Sequence, residues 1–68
     1  ATMPSHLEVH TSDPITVAKL LTANHIADVA VEANVVTAVI DVEFNRERVL
    51  RQLLDANLPV SEFFVNAS

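Results

Sequence analysis

The chain has 68 residues, no cysteine and no glycine, and its nine acidic residues against four basic ones give a net charge of −5. The length allows one domain, the lack of cysteine excludes disulfides and thiolate metal sites, and the negative charge disfavours nucleic acid and anionic membranes. No apolar run approaches the roughly 20 residues that span a bilayer. We therefore expect a domain without direct membrane insertion, cytoplasmic because no basic-then-apolar leader opens it.

The first predicted unit is a strand followed by a helix. Residues 6–11 alternate between polar and apolar side chains, which is typical of a half-buried strand. The segment Ser12-Asp13-Pro14 predicts a helix start, because it offers an oxygen-bearing cap and a proline for the first turn. Asn24 is predicted to end the helix in a left-handed conformation. The apolar residues on one face of this helix, over 15–24, are Val17, Leu20 and Leu21.

Two further strands are predicted to form an antiparallel hairpin. Residues 26–32 and 35–43 both alternate, and the second run is rich in β-branched side chains. Ala33-Asn34 joins them as a tight turn, because asparagine tolerates positive φ.

A second helix and a last strand complete the predicted order. Asn45 is predicted to cap a helix over 46–56, which ends at Asn57 because Leu58-Pro59 cannot continue it. Residues 60–65 are predicted to form the last strand. The apolar stripe of the helix consists of Val49, Leu50, Leu53 and Leu54.

The two halves of the chain resemble each other at an offset of 33 residues, which aligns 20–24 with 53–57 and Ser12 with the cap Asn45. Two such units in tandem have the element order of a ferredoxin-like βαββαβ domain. Right-handed crossovers then place both helices on one face of a four-stranded antiparallel sheet. We predict an α+β, ferredoxin-like accessory domain over residues 6–66, with residues 1–5 as a disordered or expression-derived extension.

The sheet face without helices is predicted to collect the outward side chains of every strand. His6, Glu8 and His10 point the same way along one strand, and a carboxylate with two imidazoles is a ligand set for zinc or nickel. These three residues are the candidate metal ligands, and an ordinary solvated strand face is the alternative. The predicted members of the face are His6, Glu8, His10, Asp28, Glu32, Thr37, Val39, Asp41, Glu62 and Phe64.

Neither a catalytic site nor a cofactor is predicted for this chain. No glycine is available for a nucleophile elbow or a phosphate-binding loop. RNA binding by such a sheet needs exposed aromatic residues in a basic surrounding, and this chain is acidic. Val39 and Phe64 are instead predicted to form a small interaction patch. The serines lie at termini, at a helix cap and at a strand edge: Ser5, Ser12, Ser61 and Ser68.

Residues 47–63 read ERVLRQLLDANLPVSEF. This stretch resembles the tail of the ATP-binding subunits of ABC transporters of the multidrug and ABC-2 export type, in which a helix ending LL-x-A-x-(I/L)-x-V runs into a strand V-S-E-F. The strand, the Ser12-Asp13-Pro14 segment and the helix of the first half are similar to the accessory domain that follows the nucleotide-binding core in those proteins. Residue-level similarity is confined to 53–63.

The resemblance implies a C-terminal module of a bacterial export ATPase that regulates or stabilises the ATPase dimer. Its implied partners are the parent nucleotide-binding domain and a second copy of itself, with membrane association through the transporter complex. No catalytic residue is carried over, because neither the Walker A loop nor the signature sequence lies in this stretch. One alternative is an ACT-type domain that senses a small amino acid, although such domains place glycine where this chain has Thr11-Ser12-Asp13. Another alternative is a metal-binding domain.

Overall fold

A computed structural model describes residues 5–67 of the chain. Strands and helices alternate in the order β1 (Ser5–His10), α1 (Pro14–Ala23), β2 (Ala27–Glu32), β3 (Val35–Ile40), α2 (Arg46–Asp55) and β4 (Glu62–Ala67). The sheet order is β2-β3-β1-β4, and every neighbouring pair is antiparallel. The predicted α+β, ferredoxin-like fold is confirmed.

The predicted N-terminal extension ends earlier than expected. Ser5 already belongs to β1, where it pairs with Ile40. The expectation of disorder for residues 1–4 concerns positions outside the described residues.

Both helices cover the same face of the sheet. The buried side chains of the strands and of the helices form one apolar cluster, so the core is a single layer between sheet and helices. Burying this apolar surface stabilises the fold by roughly 25 cal/mol per Å². The cluster consists of Leu7, Val9, Val17, Leu21, Val36, Ala38, Ile40, Val49, Leu53 and Leu58.

Each helix begins at a side chain that caps its first turn. Asp13 caps α1 by accepting a hydrogen bond from the Thr16 N–H at 3.4 Å, and Asn45 caps α2 by accepting one from the Arg48 N–H at 3.0 Å. Both bonds satisfy backbone donors that have no partner within the helix. The alignment of Ser12 with Asn45 is therefore wrong, since Asp13 is the structural counterpart.

Helix α1 ends with a left-handed residue one position later than predicted. Asn24 has a φ of −90°, whereas His25 has a φ of 62°. The N–H of Ile26 then donates to the carbonyl of Leu21 at 3.2 Å. This is the bond of a Schellman motif, which satisfies a carbonyl at the helix end.

Helix α2 ends in the same way. Asn57 has a φ of 57°, and the N–H of Leu58 donates to the carbonyl of Leu53 at 3.0 Å. The two helical units are therefore repeated at an offset of 32 residues (Leu21 to Leu53, His25 to Asn57) rather than 33.

The apolar stripe of α2 is narrower than predicted. Val49 and Leu53 are buried and Leu50 is half-buried, but Leu54 is 58% exposed. The corrected offset explains this, because Leu53 rather than Leu54 corresponds to the buried Leu21.

Strand β3 ends at Ile40, three residues before its predicted end. The Asp41 side chain accepts a hydrogen bond from the Glu43 N–H at 2.9 Å, and the Asp41 carbonyl accepts one from the Phe44 N–H at 3.2 Å. An aspartate that bonds the backbone two residues ahead favours a turn over a strand. Asp41 therefore lies in a turn and not on the strand face, and Val42 in the same turn is 99% exposed.

Strand β2 contains a bulge that the alternation of its sequence does not reveal. Asp28 and Val29 together stand opposite Ala38, and Asp28 has a φ of 53°. The prediction that Asp28 lies regularly on the open face is wrong, because a bulge breaks the two-residue period.

Two connections differ in detail from the prediction. In the β2–β3 turn the left-handed residue is Ala33, with a φ of 52°, and not Asn34. Strand β4 begins at Glu62 instead of at residue 60. Just before it, Ser61 donates two hydrogen bonds to the His10 carbonyl, one from its N–H at 2.8 Å and one from its hydroxyl at 3.0 Å.

Candidate functional site: the open face of the sheet

Strand β1 lies inside the sheet and supplies the polar centre of the uncovered face, which we call the open face. Leu7 and Val9 are buried under the helices, so His6, Glu8 and His10 point to the opposite side. Strand β1 has β3 as its neighbour on one side and β4 on the other. Each of the three polar side chains therefore has a cross-strand neighbour on both sides.

The strand register arranges the open face in three rows. Glu32 of β2 extends the last row, opposite Val35, and Ala30 extends the middle row. Polar residues of β1 thus separate the apolar residues of β3 from those of β4. Read from β3 through β1 to β4, the rows are Val39–His6–Asn66, Thr37–Glu8–Phe64 and Val35–His10–Glu62.

His10 makes the closest side-chain contacts of this face. Its Nε2 lies 2.7 Å from Glu8 Oε2, and because an ionised carboxylate only accepts, the imidazole donates this hydrogen bond. The same nitrogen lies 3.8 Å from Glu62 Oε2. The ring of Phe64 is tilted by 31° against the imidazole, with centroids 5.7 Å apart. His10 thus joins β1 to β4 across the open face.

The candidate metal ligands do not converge. Glu8 and His10 are in contact, but His6 lies in a different row, beside Val39 and Asn66. Within residues 5–67 no three His, Cys, Asp or Glu side chains are arranged to hold a metal ion. Glu8 and His10 instead hydrogen-bond to each other on a partly exposed strand face.

Val39 and Phe64 both lie on the open face, but they do not form one patch. Val39 belongs to the row of His6, and Phe64 belongs to the next row, that of Glu8. With β1 between their strands, they are separated by about 10 Å across the sheet. Each is half-buried, so the face presents two small apolar areas that are divided by polar side chains.

A groove of about 820 Å³ opens at one end of the domain and was not predicted. Its walls come from the end of α1, from the turn after β3 and from the first turn of α2, with Asn24, Asp41 and Arg48 among the lining residues. The lining mixes both charges with apolar side chains. The turn after β3 forms one wall of this groove, and an aspartate within the alternating run, able to bond the backbone two residues ahead, is the signal that indicates such a turn.

A smaller depression of about 450 Å³ lies at the opposite end, beside the loop after β1. Ser12, Asn34 and Ser61 contribute polar groups to it. Thr11, only 3% exposed, is used internally, because its N–H donates to the Asn34 carbonyl at 2.9 Å and its hydroxyl oxygen accepts from the Asp13 N–H at 3.0 Å.

Comparisons with models of known protein families, with curated protein sequences and with solved structures gave no match. Neither α1 nor α2, the helices of the described residues, is long and apolar enough to cross a membrane.

Proposed function

We propose that this chain is a non-catalytic regulatory and interaction module, of the kind appended to the ATPase subunit of a bacterial ABC exporter. In this proposal it stabilises or regulates the ATPase dimer in the cytoplasm, and the open face of the sheet contacts the parent nucleotide-binding domain. The support comes from the sequence similarity of residues 53–63 and from the acidic open face described next.

The observation that carries the proposal is the acidic character of the open face, on which no lysine or arginine lies. The open face presents the carboxylates of Glu8, Glu32 and Glu62 around half-buried Val39 and Phe64. The basic residues of the chain all lie in the helices: Lys19, Arg46, Arg48 and Arg51. A partner complementary to the open face is therefore basic around small apolar contacts.

The parent gene provides the first test. If the proposal is correct, the coding sequence upstream of residue 1 contains a Walker A motif, because the similarity is to the C-terminal end of such subunits. A parent protein without an ATP-binding core contradicts this function.

Activity of the parent protein provides the second test. Val39→Glu places a charge among the apolar contacts of the open face, and we expect it to lower ATP hydrolysis several-fold at low protein concentration, where the dimer dissociates. Val42→Glu is the matched control, because the same change at a side chain that is 99% exposed leaves the open face intact. Equal activity of the two variants contradicts docking through this face.

A small-ligand sensor of the ACT type is the second candidate, and the polar depression after β1 favours it. Ser12, Asn34 and Ser61 offer hydroxyl and amide groups there for a small polar ligand. Calorimetric titration of the chain with the amino acids distinguishes the candidates. Saturable binding that Ser61→Ala weakens at least tenfold supports the sensor, and absence of heat with every amino acid eliminates it.

A further inference from the structure

The two edge strands of the sheet differ in how they discourage pairing with another strand. Strand β2 has the bulge at Asp28 and Val29, and its exposed Asp28 and Glu32 carry charge. Bulges and charges are common devices that prevent edge-to-edge association. The edge formed by β2 is thus protected.

Strand β4 has neither device along its central part. Its six residues pair with β1 in continuous register, from Glu62 opposite His10 to Ala67 opposite Ser5. Glu62 is its one charged residue, and the sequence EFFVNA is apolar in the middle. Within residues 5–67, β4 pairs with β1 alone. A regular, apolar edge strand is a template for β-sheet extension by another chain.

We propose that β4 pairs antiparallel with β4 of a second copy of this chain, about a two-fold axis at Phe64, and forms a continuous eight-stranded sheet. Two identical antiparallel strands are self-complementary, which a two-fold dimer requires. This inference goes beyond the proposed function, because it concerns the isolated chain and names the edge and the register.

The register follows from the alternation of β4. Residues that lie directly opposite each other on neighbouring strands point to the same face of the sheet. The two-fold axis must therefore lie between one residue of β4 and the same residue of the second copy. With Phe64 on the axis, the two Phe64 rings meet on the open face and Phe63 meets Val65 of the second copy on the helix side. Glu62 meets Asn66 of the second copy. This register joins apolar to apolar residues and leaves no carboxylate opposite an aromatic ring.

Neighbouring registers are less favourable. An axis at Phe63 sets Glu62 against Phe64 of the second copy, and an axis at Val65 sets Phe64 against Asn66. With the axis at Phe64, the two Glu62 residues lie roughly 14 Å apart by the rise of a strand, which exceeds the Debye length of about 8 Å at physiological salt.

Sedimentation equilibrium of the 68-residue chain over a wide concentration range tests the proposal. We expect the mass to rise from 7.4 kDa towards its doubled value, and we expect only weak association because one strand pair buries little surface. Phe64→Glu, which sets two carboxylates on the axis, keeps the chain monomeric. Val39→Glu on the same face but away from β4 still dimerises. A wild-type chain that stays monomeric throughout, or a dimer lost in Val39→Glu and kept in Phe64→Glu, overturns the proposal.

Disulfide trapping tests the register without relying on a destabilising variant. The chain has no cysteine, so Phe64→Cys gives a single thiol whose β-carbon lies about 5 Å from its copy in the proposed pair, close to disulfide distance. Glu62→Cys is the matched control, on the same strand and face. We expect mild oxidation to link Phe64→Cys at least tenfold faster than Glu62→Cys. Equal rates overturn the register, and a monomeric chain overturns the dimer while leaving the proposed ATPase function untouched.

Discussion

The Asn24 side-chain N–H donates to Gln52 Oε1 at 2.8 Å and joins the end of α1 to the middle of α2. The second N–H of the same amide donates to the Leu20 carbonyl at 2.8 Å, so both donors are used. This bond links the two helices directly, and Val17 of α1 and Leu53 of α2 belong to the same core cluster.

Gln52→Ala removes the acceptor of this bond and leaves an amide donor of Asn24 without its partner. We expect the free energy of unfolding to fall by about 1 kcal/mol, the usual net contribution of such a bond. Urea denaturation measures this change. Arg51→Ala, at an exposed neighbouring position, is the control and should stay within about 0.5 kcal/mol of the wild type. Equal effects of the two substitutions contradict a role of this bond in stability.

Leu53→Ala empties a fully buried position in the core. We expect it to lower the free energy of unfolding by roughly 2–5 kcal/mol, which covers lost burial and the remaining cavity. Leu54→Ala makes the same chemical change next to it, at a side chain that is 58% exposed, and should cost about 0.5 kcal/mol or less. Thermal and urea denaturation of both variants check the face of α2 that the structure assigns to the core. Similar losses of unfolding free energy in the two variants contradict the assignment of the Leu53 face to the core.

Ala33→Gly should stabilise the protein. Ala33 has a φ of 52° in the two-residue turn between β2 and β3, and an L-residue with a β-carbon costs roughly 1–2 kcal/mol in that region. Glycine relieves this cost but adds disorder to the unfolded chain, so we expect a net gain of about 0.5–1 kcal/mol in the free energy of unfolding. Ala30→Gly within β2, without a positive φ, should destabilise. Denaturation midpoints that move the same way in both variants contradict the left-handed turn.

Local sequence patterns sufficed for the element order and for most of the core. Alternation in β1 and β3 identifies Leu7, Val9, Val36 and Ala38 as inward residues, because burial on one face imposes a two-residue period. Side-chain oxygens before both helices indicate their starts. The match between local preference and global fold is what a small domain without disulfides requires.

The remaining details depend on side-chain hydrogen bonds to the backbone and on turn conformations, which compete with the periodic pattern and are not visible in it. Val42 continues the alternation of β3, but the Asp41 side chain bonds the backbone and ends the strand before it. In a chain without glycine, the left-handed positions are taken by residues whose β-carbons disfavour them, such as His25 and Ala33. Composition alone does not indicate which residue of a turn adopts that conformation.

Sequence periodicity predicts most members of the open face, with Asp28 and Asp41 as exceptions, but not the contacts between their side chains. Alternation places His6, Glu8 and His10 on one face, as the structure confirms. The contact of His10 with Glu62 and Phe64 depends on β4 lying beside β1, and strand order is a tertiary property. The same order separates Val39 from Phe64, which the pattern of single strands does not show.

Nuclear magnetic resonance mapping of the parent contact tests the proposed function most directly. The isotope-labelled chain is titrated with the nucleotide-binding domain that the proposed function expects upstream in the same gene, and backbone amide shifts are followed. We expect changes at Glu8, Thr37 and Val39 of the open face and none at Lys19 and Arg51 on the helices. Changes confined to the helices, or no change at saturating concentration, contradict docking through the open face.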